Sequence, residues 1–174
     1  MRVGIGYDIH PFDPNRPLVI GGVRIEGTWG LRGHSDADVL FHAVGDACLG
    51  AACLGDLGEH FPDSDAQWRG APSSVLLGHI LGLVRGKGLA PSYVDATIVA
   101  ERPRIAPHRQ AMRERLAALM GLPLDLVSVK ASSNNGIGAI GRVEGIAALA
   151  VVSLVPAGGG ADVAAGRPAS GPGA

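Results

Sequence analysis

Aromatic side chains are scarce: two Trp, two Tyr and three Phe make up 4% of 174 residues. With 27 Gly and 12 Pro beside 47% hydrophobic residues, a core must be built from Ala, Val, Leu and Ile, with close backbone packing and many turns. Charge of one sign is missing too. Fifteen Lys+Arg face 16 Asp+Glu for a formal net charge of -1, which argues against a bulk field for nucleic acid or an anionic membrane. Only Cys48 and Cys53 are present; their spacing does not face them on a helix, and a disulfide scaffold needs more. The longest apolar run, 146–155, falls short of the ~20 residues that span a bilayer. At the N-terminus, charge and His10 interrupt before the roughly 7–15 apolar residues of a signal peptide. The expectation is a cytoplasmic protein with no nucleic-acid or membrane partner. No G-x-x-x-x-G-K-[ST] loop, no G-x-G-x-x-G between strand and helix, and no G-x-S-x-G elbow occurs, so P-loop, Rossmann and hydrolase-elbow chemistry are not indicated.

What is present is one domain's worth of regular pattern. Residues 2–8 read as a strand, and 18–20 with 23–25 as a hairpin about Gly21-Gly22, since paired glycines accept the positive φ of tight turns. Residues 36–52 have helical periodicity, with Ser35 and Asp38 resembling a capping box. Ser73 or Ser74 is expected to cap a second helix that runs to about Lys87. A strand at 92–100, a helix at 107–120 with Pro107 in its first turn, and strands at 127–131 and 146–155 complete the order. This pattern predicts an α+β fold, a single mixed sheet with helices on one face. The folded domain is expected over 1–155. The segment 156–174, almost all Gly, Ala, Pro and Ser, is expected to be a disordered tail.

Asp8 and His10 stand i, i+2 at a strand end and so leave the same face. His42 is mid-helix with Asp38 and Asp46 one turn away on either side, each a carboxylate able to hold the ring nitrogen that faces away from a metal. One carboxylate and two imidazoles with an open fourth position form the ligand pattern of a catalytic zinc site. Spacing alone equally allows a turn-capping Asp beside a surface His. His34 precedes the helix N-terminus, where anions can dock. Ser132-Ser133-Asn134-Asn135-Gly136 offers hydroxyls and amides able to wrap a phosphate, or is an ordinary Gly-rich connection; Gly136, Gly138 and Gly141 read as mere Gly richness.

Four segments taken together, GYDIHPF at 6–12, GGVRI at 21–25, HSDADVLFHAVGDACLGAACLGDLGEHFPDSD at 34–65 and KASSNNGIGAIGRVEGIA at 130–147, resemble the 2-C-methyl-D-erythritol 2,4-cyclodiphosphate synthase family over about residues 1–155. The resemblance implies a homotrimer with active sites between subunits. The implied activity is that of a phosphorus-oxygen lyase of the non-mevalonate route to isoprenoids, which converts 4-diphosphocytidyl-2-C-methyl-D-erythritol 2-phosphate to the cyclic diphosphate with release of CMP. It assigns Asp8, His10 and His42 to one Zn2+ per subunit, and implies a second, substrate-bridging Mg2+ or Mn2+. His34 and Ser133 would act at the reacting phosphates, joined there by Ser35, Ser132, Asn134 and Asn135. Asp56, Leu57, Gly58, Phe61, Pro62, Asp63, Ser64 and Asp65 would hold the methylerythritol. Ala100, Glu101, Arg102, Pro103, Arg104, Ile105 and Ala106 would take the cytosine, largely through backbone.

The chain departs from the family pattern in two places. Ser132-Ser133 and Asn135 stand where the family usually has Thr-Thr and a metal-binding Glu; Asn keeps an oxygen but loses the charge, so weaker Mg2+ binding is expected. Ala139 stands where Phe is common, which widens the central trimer cavity expected to be lined by Arg142 and Glu144. Two rivals follow: a metal-dependent phosphohydrolase using the same trio, and a trimeric isoprenoid-diphosphate binder without turnover.

Overall fold

The computed structural model describes residues 1–62 and 64–158; Asp63 and the greater part of the expected tail, 159–174, lie outside them. In chain order the elements are β1 (Arg2–Asp13), β2 (Leu18–Ile20), β3 (Val23–Ile25), β4 (Gly30–Leu31), α1 (Val39–Ala52), α2 (Leu57–His60), α3 (Ser73–Gly86), β5 (Leu89–Val99), α4 (Arg109–Met120), β6 (Val127–Ser132), α5 (Gly138–Gly141) and β7 (Gly145–Pro156). Five strands form one mixed sheet in the order β4-β1-β7-β5-β6, in which only β5 and β6 run parallel.

The expected single sheet is corrected at the hairpin. β2 and β3 form a separate two-stranded ladder, with Ile20 paired to Val23 and φ of 59° and 68° at Gly21 and Gly22, the two positive values that a two-residue turn of this kind needs. The carboxylate of Asp38 accepts both turn amides, Gly21 N–H at 2.8 Å and Gly22 N–H at 2.6 Å. It also accepts Leu40 and Phe41 N–H and so is itself the N-cap of α1. The expected capping box of Ser35 and Asp38 is therefore replaced by one carboxylate that joins helix to hairpin. Burial raises the Asp38 pKa to about 6, and the turn amides limit the rise. Ser73 is likewise not a cap: α3 begins after Pro72 with no side-chain bond to its first amides.

Twelve of the 14 residues of α1 are buried, so the helix is apolar all round and central rather than amphipathic. It lies directly on β1. A Cβ on Gly4 would stand 2.0 Å from Ala47 O, and one on Gly6 would stand 2.0 Å from Ala43 O. Alternation along β1 thus places Gly4, Gly6, Asp8 and His10 on the helix side and Val3, Ile5, Tyr7 and Ile9 on the other. Among the described residues nothing covers that other face: Ile5 is 71% exposed, and Tyr7, Tyr93, Leu149 and Val151 are exposed with it. The helices therefore occupy one face, as the sequence predicts.

The Gly-rich connection from β6 to β7 is not an accident of composition. Gly136 and Gly138 have φ of 77° and 71°, where L side chains are strained, and a Cβ on Gly141 would lie 2.1 Å from the Gly136 carbonyl carbon.

Candidate metal centre

Because Gly6 lets α1 settle on β1, His42, next to Ala43, arrives level with the next inward residues of the strand, Asp8 and His10. The three ligand atoms form a nearly equilateral triangle. His10 Nε2 lies 3.1 Å from His42 Nδ1 and 2.9 Å from Asp8 Oδ2, and His42 Nδ1 lies 3.0 Å from the same oxygen. The trio forms a group able to hold one metal ion. Burial opposes charge on Asp8, but bonds from His10 and His42 prevail and hold its pKa well below the usual carboxylate range. Burial likewise opposes charge on His42, and Asp8 outweighs it, so the His42 pKa is raised.

The partners expected for the far nitrogen of His42 are not the ones found. Asp38 is committed to the hairpin and helix amides, and Asp46 accepts Leu57 N–H at 2.8 Å. Instead, His42 Nε2 meets two hydroxyls, Ser35 Oγ at 3.0 Å and Ser73 Oγ at 2.9 Å. Ser73 lies 31 positions away, outside any local spacing rule.

The trio opens into a pocket of about 590 Å3, also lined by His34, Ser35, Leu57, Gly58 and Phe61, and by Arg32, Trp68 and Leu76, which sequence reasoning missed. His34 Nε2 is buried without a partner, a polar atom left for a ligand to satisfy. Arg16, also missed, donates its guanidinium to the carbonyls of Gly33 and Ser35 and so fixes the loop that carries His34. Asp56 caps α2 by accepting Glu59 N–H, and Asp65 caps the 66–68 turn through Gln67 N–H. Pro62 and Ser64 are exposed at the rim.

The remaining expected site residues do not line this pocket. Cross-strand pairing places Ile9, Ala147, Val99 and Ser132 in one row. Ser132 therefore sits at the same end of the sheet as the trio but three strands away, roughly 14 Å, and on the opposite face from Asp8 and His10. Ser133, Asn134 and Asn135 follow in an exposed turn in which Ser133 Oγ donates to Asn135 Oδ1 at 3.3 Å. Asn135 has φ of 50°, a left-handed conformation that Asn tolerates better than most residues. Glu101, at the start of the 100–106 loop, accepts Gly136 N–H at 2.8 Å and ties the two loops together. Among the described residues of these loops it is the sole acid. Arg142 pairs with Glu144 at 2.6 Å, both exposed, and Ala139 is exposed in α5.

A family model, the YgbB family, matches residues 1–155. The chain belongs to the YgbB family. It is 53% identical over 156 residues to the 2-C-methyl-D-erythritol 2,4-cyclodiphosphate synthase of Trichlorobacter lovleyi, covering 90% of this chain and 99% of that one. To the protein of the same name from Gloeobacter violaceus it is 55% identical over 154 residues, or 88% and 94% of the two chains. A solved 2C-methyl-D-erythritol-2,4-cyclodiphosphate synthase in its CDP-bound form superimposes with a TM-score of 0.82 at 36% identity, covering 88% of this chain and 100% of that one. Among the described residues, no helix is long and apolar enough to cross a membrane.

Proposed function

We propose that this YgbB-family chain converts 4-diphosphocytidyl-2-C-methyl-D-erythritol 2-phosphate to 2-C-methyl-D-erythritol 2,4-cyclodiphosphate and CMP, as a zinc-dependent lyase of the cytoplasmic non-mevalonate route. The observation that carries this is the triangle of Asp8, His10 and His42 at the mouth of a pocket, in a chain more than half identical to proteins of that name. Two unpaired thiols, Cys48 buried and Cys53 exposed, suit a reducing compartment.

The donor set fits zinc. Three ligand atoms crowd to about 3 Å from one another, and with a metal on His42 Nδ1 the two hydroxyls at Nε2 can receive the remaining ring proton. When bound, zinc would supply a Lewis acid for the β-phosphate. The residues of the chain do the rest: His34, with its open nitrogen, and Ser35 receive the phosphates, while Leu57, Gly58 and Phe61 shape the wall for the methylerythritol. The reaction needs little acid or base, because the attacking 2-phosphate is already an anion; holding two anions in line and dispersing charge is the task. The 132–135 turn offers a magnesium ion only neutral oxygens, a poor fit, and no step is assigned to such an ion.

Ser132 and the 100–106 loop serve this chemistry from a second copy. A homotrimer whose apolar sheet faces meet would cover Ile5, Tyr7, Leu149 and Val151 and bring the loops of one subunit toward the trio of the next. Phosphorus NMR on the diphosphocytidyl substrate, with and without a chelator, tests the reading: cyclic diphosphate and CMP are expected, lost on chelation. Linear products would establish the hydrolase instead, and absence of turnover by a zinc-loaded trimer would establish a binder.

A further inference from the structure

The hydroxyls behind His42 form a relay with a definite direction. Ser73, 1% exposed, lies within hydrogen-bond distance of the Asp36 carboxylate, of Ser35 Oγ at 3.2 Å and of His42 Nε2 at 2.9 Å. A carboxylate can only accept, so the Ser73 proton goes to Asp36. Its oxygen then has two lone pairs left to offer, within reach of His42 Nε2 and of the Ser35 hydroxyl. Ser35 Oγ in turn accepts Ala37 N–H at 3.1 Å. With Nδ1 given to a metal, the ring carries its hydrogen on Nε2, where Ser73 Oγ at 2.9 Å and Ser35 Oγ at 3.0 Å stand to receive it.

We infer that Asp36 and Ser73 are positioning residues for the metal, an Asp–Ser–His chain that fixes the tautomer and ring plane of His42. This rests on the zinc reading above and adds two residues to it that touch neither metal nor substrate. Metal-bound histidines generally have the outer nitrogen held by a carboxylate or carbonyl, and loss of such a partner costs roughly 10–100-fold in metal affinity. Here the carboxylate acts through an intervening hydroxyl. Its placement is firm because Asp36 N–H donates to Ala71 O at 3.1 Å and Gly70 N–H to His34 O at 2.8 Å, which tie the 34–36 loop to the segment leading into α3.

The test is zinc affinity by chelator competition on the full chain, alongside nitrogen-15 NMR of His42, for the wild type, Ser73→Ala and Asp36→Asn. Ser92→Ala, which removes a hydroxyl paired with Ser153 on β7, serves as a folding control. Ser73→Ala is expected to weaken zinc by about 10–100-fold and to leave His42 in mixed tautomers before metal is added. Asp36→Asn keeps an acceptor but removes the charge and is expected to fall between Ser73→Ala and the wild type. Ser73→Thr, which restores the hydroxyl, should recover most of the affinity. Variants that melt like the wild type and bind zinc within twofold of it, with the Nε2–H tautomer intact, would overturn the relay alone. A wild-type chain that takes up no zinc would overturn the metal reading and the relay together.

Discussion

The two halves of the proposed site stand at one end of the same sheet and differ in how they are held. Asp8, His10 and His42 lie on the helix-covered face, and each ligand atom lies within about 3 Å of the other two. His42 is backed by buried hydroxyls. Ser132, Ser133 and Asn135 lie beyond the open face, exposed, in a turn whose side-chain bonds measure 3.2 to 3.3 Å. The first half is finished by one chain. The second takes its firmest tie, Gly136 N–H to Glu101, from a neighbouring loop and, in the proposed trimer, serves the trio of another copy. Groups that must bind a cation with little rearrangement are preorganised, whereas groups that close on a large substrate across an interface are left to be ordered there.

Ways to break this contrast rank by size. His42→Ala should abolish zinc binding and lower turnover by more than about 1,000-fold while the fold persists; one zinc per chain retained by elemental analysis would contradict the assignment. Ile5→Asp puts a charge in the middle of the open apolar face. It should convert the proposed trimer to monomers by light scattering and remove most activity, while zinc affinity stays within a few-fold, because the trio belongs to one chain. Asn135→Glu should sharpen the weaker half: apparent Mg2+ affinity is expected to rise about tenfold as a carboxylate joins neutral oxygens. A small fall in melting temperature should accompany it, since Glu suits a φ of 50° less well than Asn does. Glu101→Ala should raise KM for the nucleotide substrate a few-fold with kcat nearly unchanged; an equal fall in both kcat and kcat/KM would place Glu101 in the chemical step instead.

The smallest effect concerns pH. The folded His42 pKa is raised above 6.5 by Asp8, so His42 contributes stability to the metal-free chain below 6.5 that is lost as pH rises through the folded value. Asp38, raised from 3.8 to about 6 by burial, acts with the same sign between those two values. Asp8, held low, contributes above 3.8 and loses that contribution on acidification. Melting temperature without metal should therefore fall from mildly acidic pH toward pH 8. Zinc affinity should rise over the same range, because the metal needs neutral imidazoles. Thermal scans on chelated and zinc-loaded protein check both directions.

Much of this was legible from short-range pattern. The i, i+2 spacing of Asp8 and His10, the Gly21-Gly22 hairpin and a helix around His42 are properties of a few consecutive residues, and the structure shows each, although the helix begins at Val39 rather than at 36 and is buried all round. What resisted reading is long-range or competitive. Asp38 sits one turn from His42, a spacing that predicts service to it, but four backbone amides claim its oxygens. Ser73 serves His42 instead, and no spacing rule connects positions 42 and 73. Alternation cannot say which ladder a strand joins, so the hairpin reads as part of the sheet; in the structure its turn is held by Asp38 instead. Gly136, Gly138 and Gly141 looked like composition because a glycine needed for close approach and one that merely fills a loop are written with the same letter.

The contact between Gly6 and the carbonyl of Ala43 carries one more implication. A methyl group at position 6 has nowhere to go except into helix backbone, so Gly6→Ala must lift α1 away from the strand and carry the imidazole of His42 off its two companions. A survey that scored substitutions by metal content alone would then flag this position as though it were a ligand, although it has no donor atom to give. The proposed coordination sphere is gauged by an empty space, and the residue least able to bind a cation helps decide whether one can be bound.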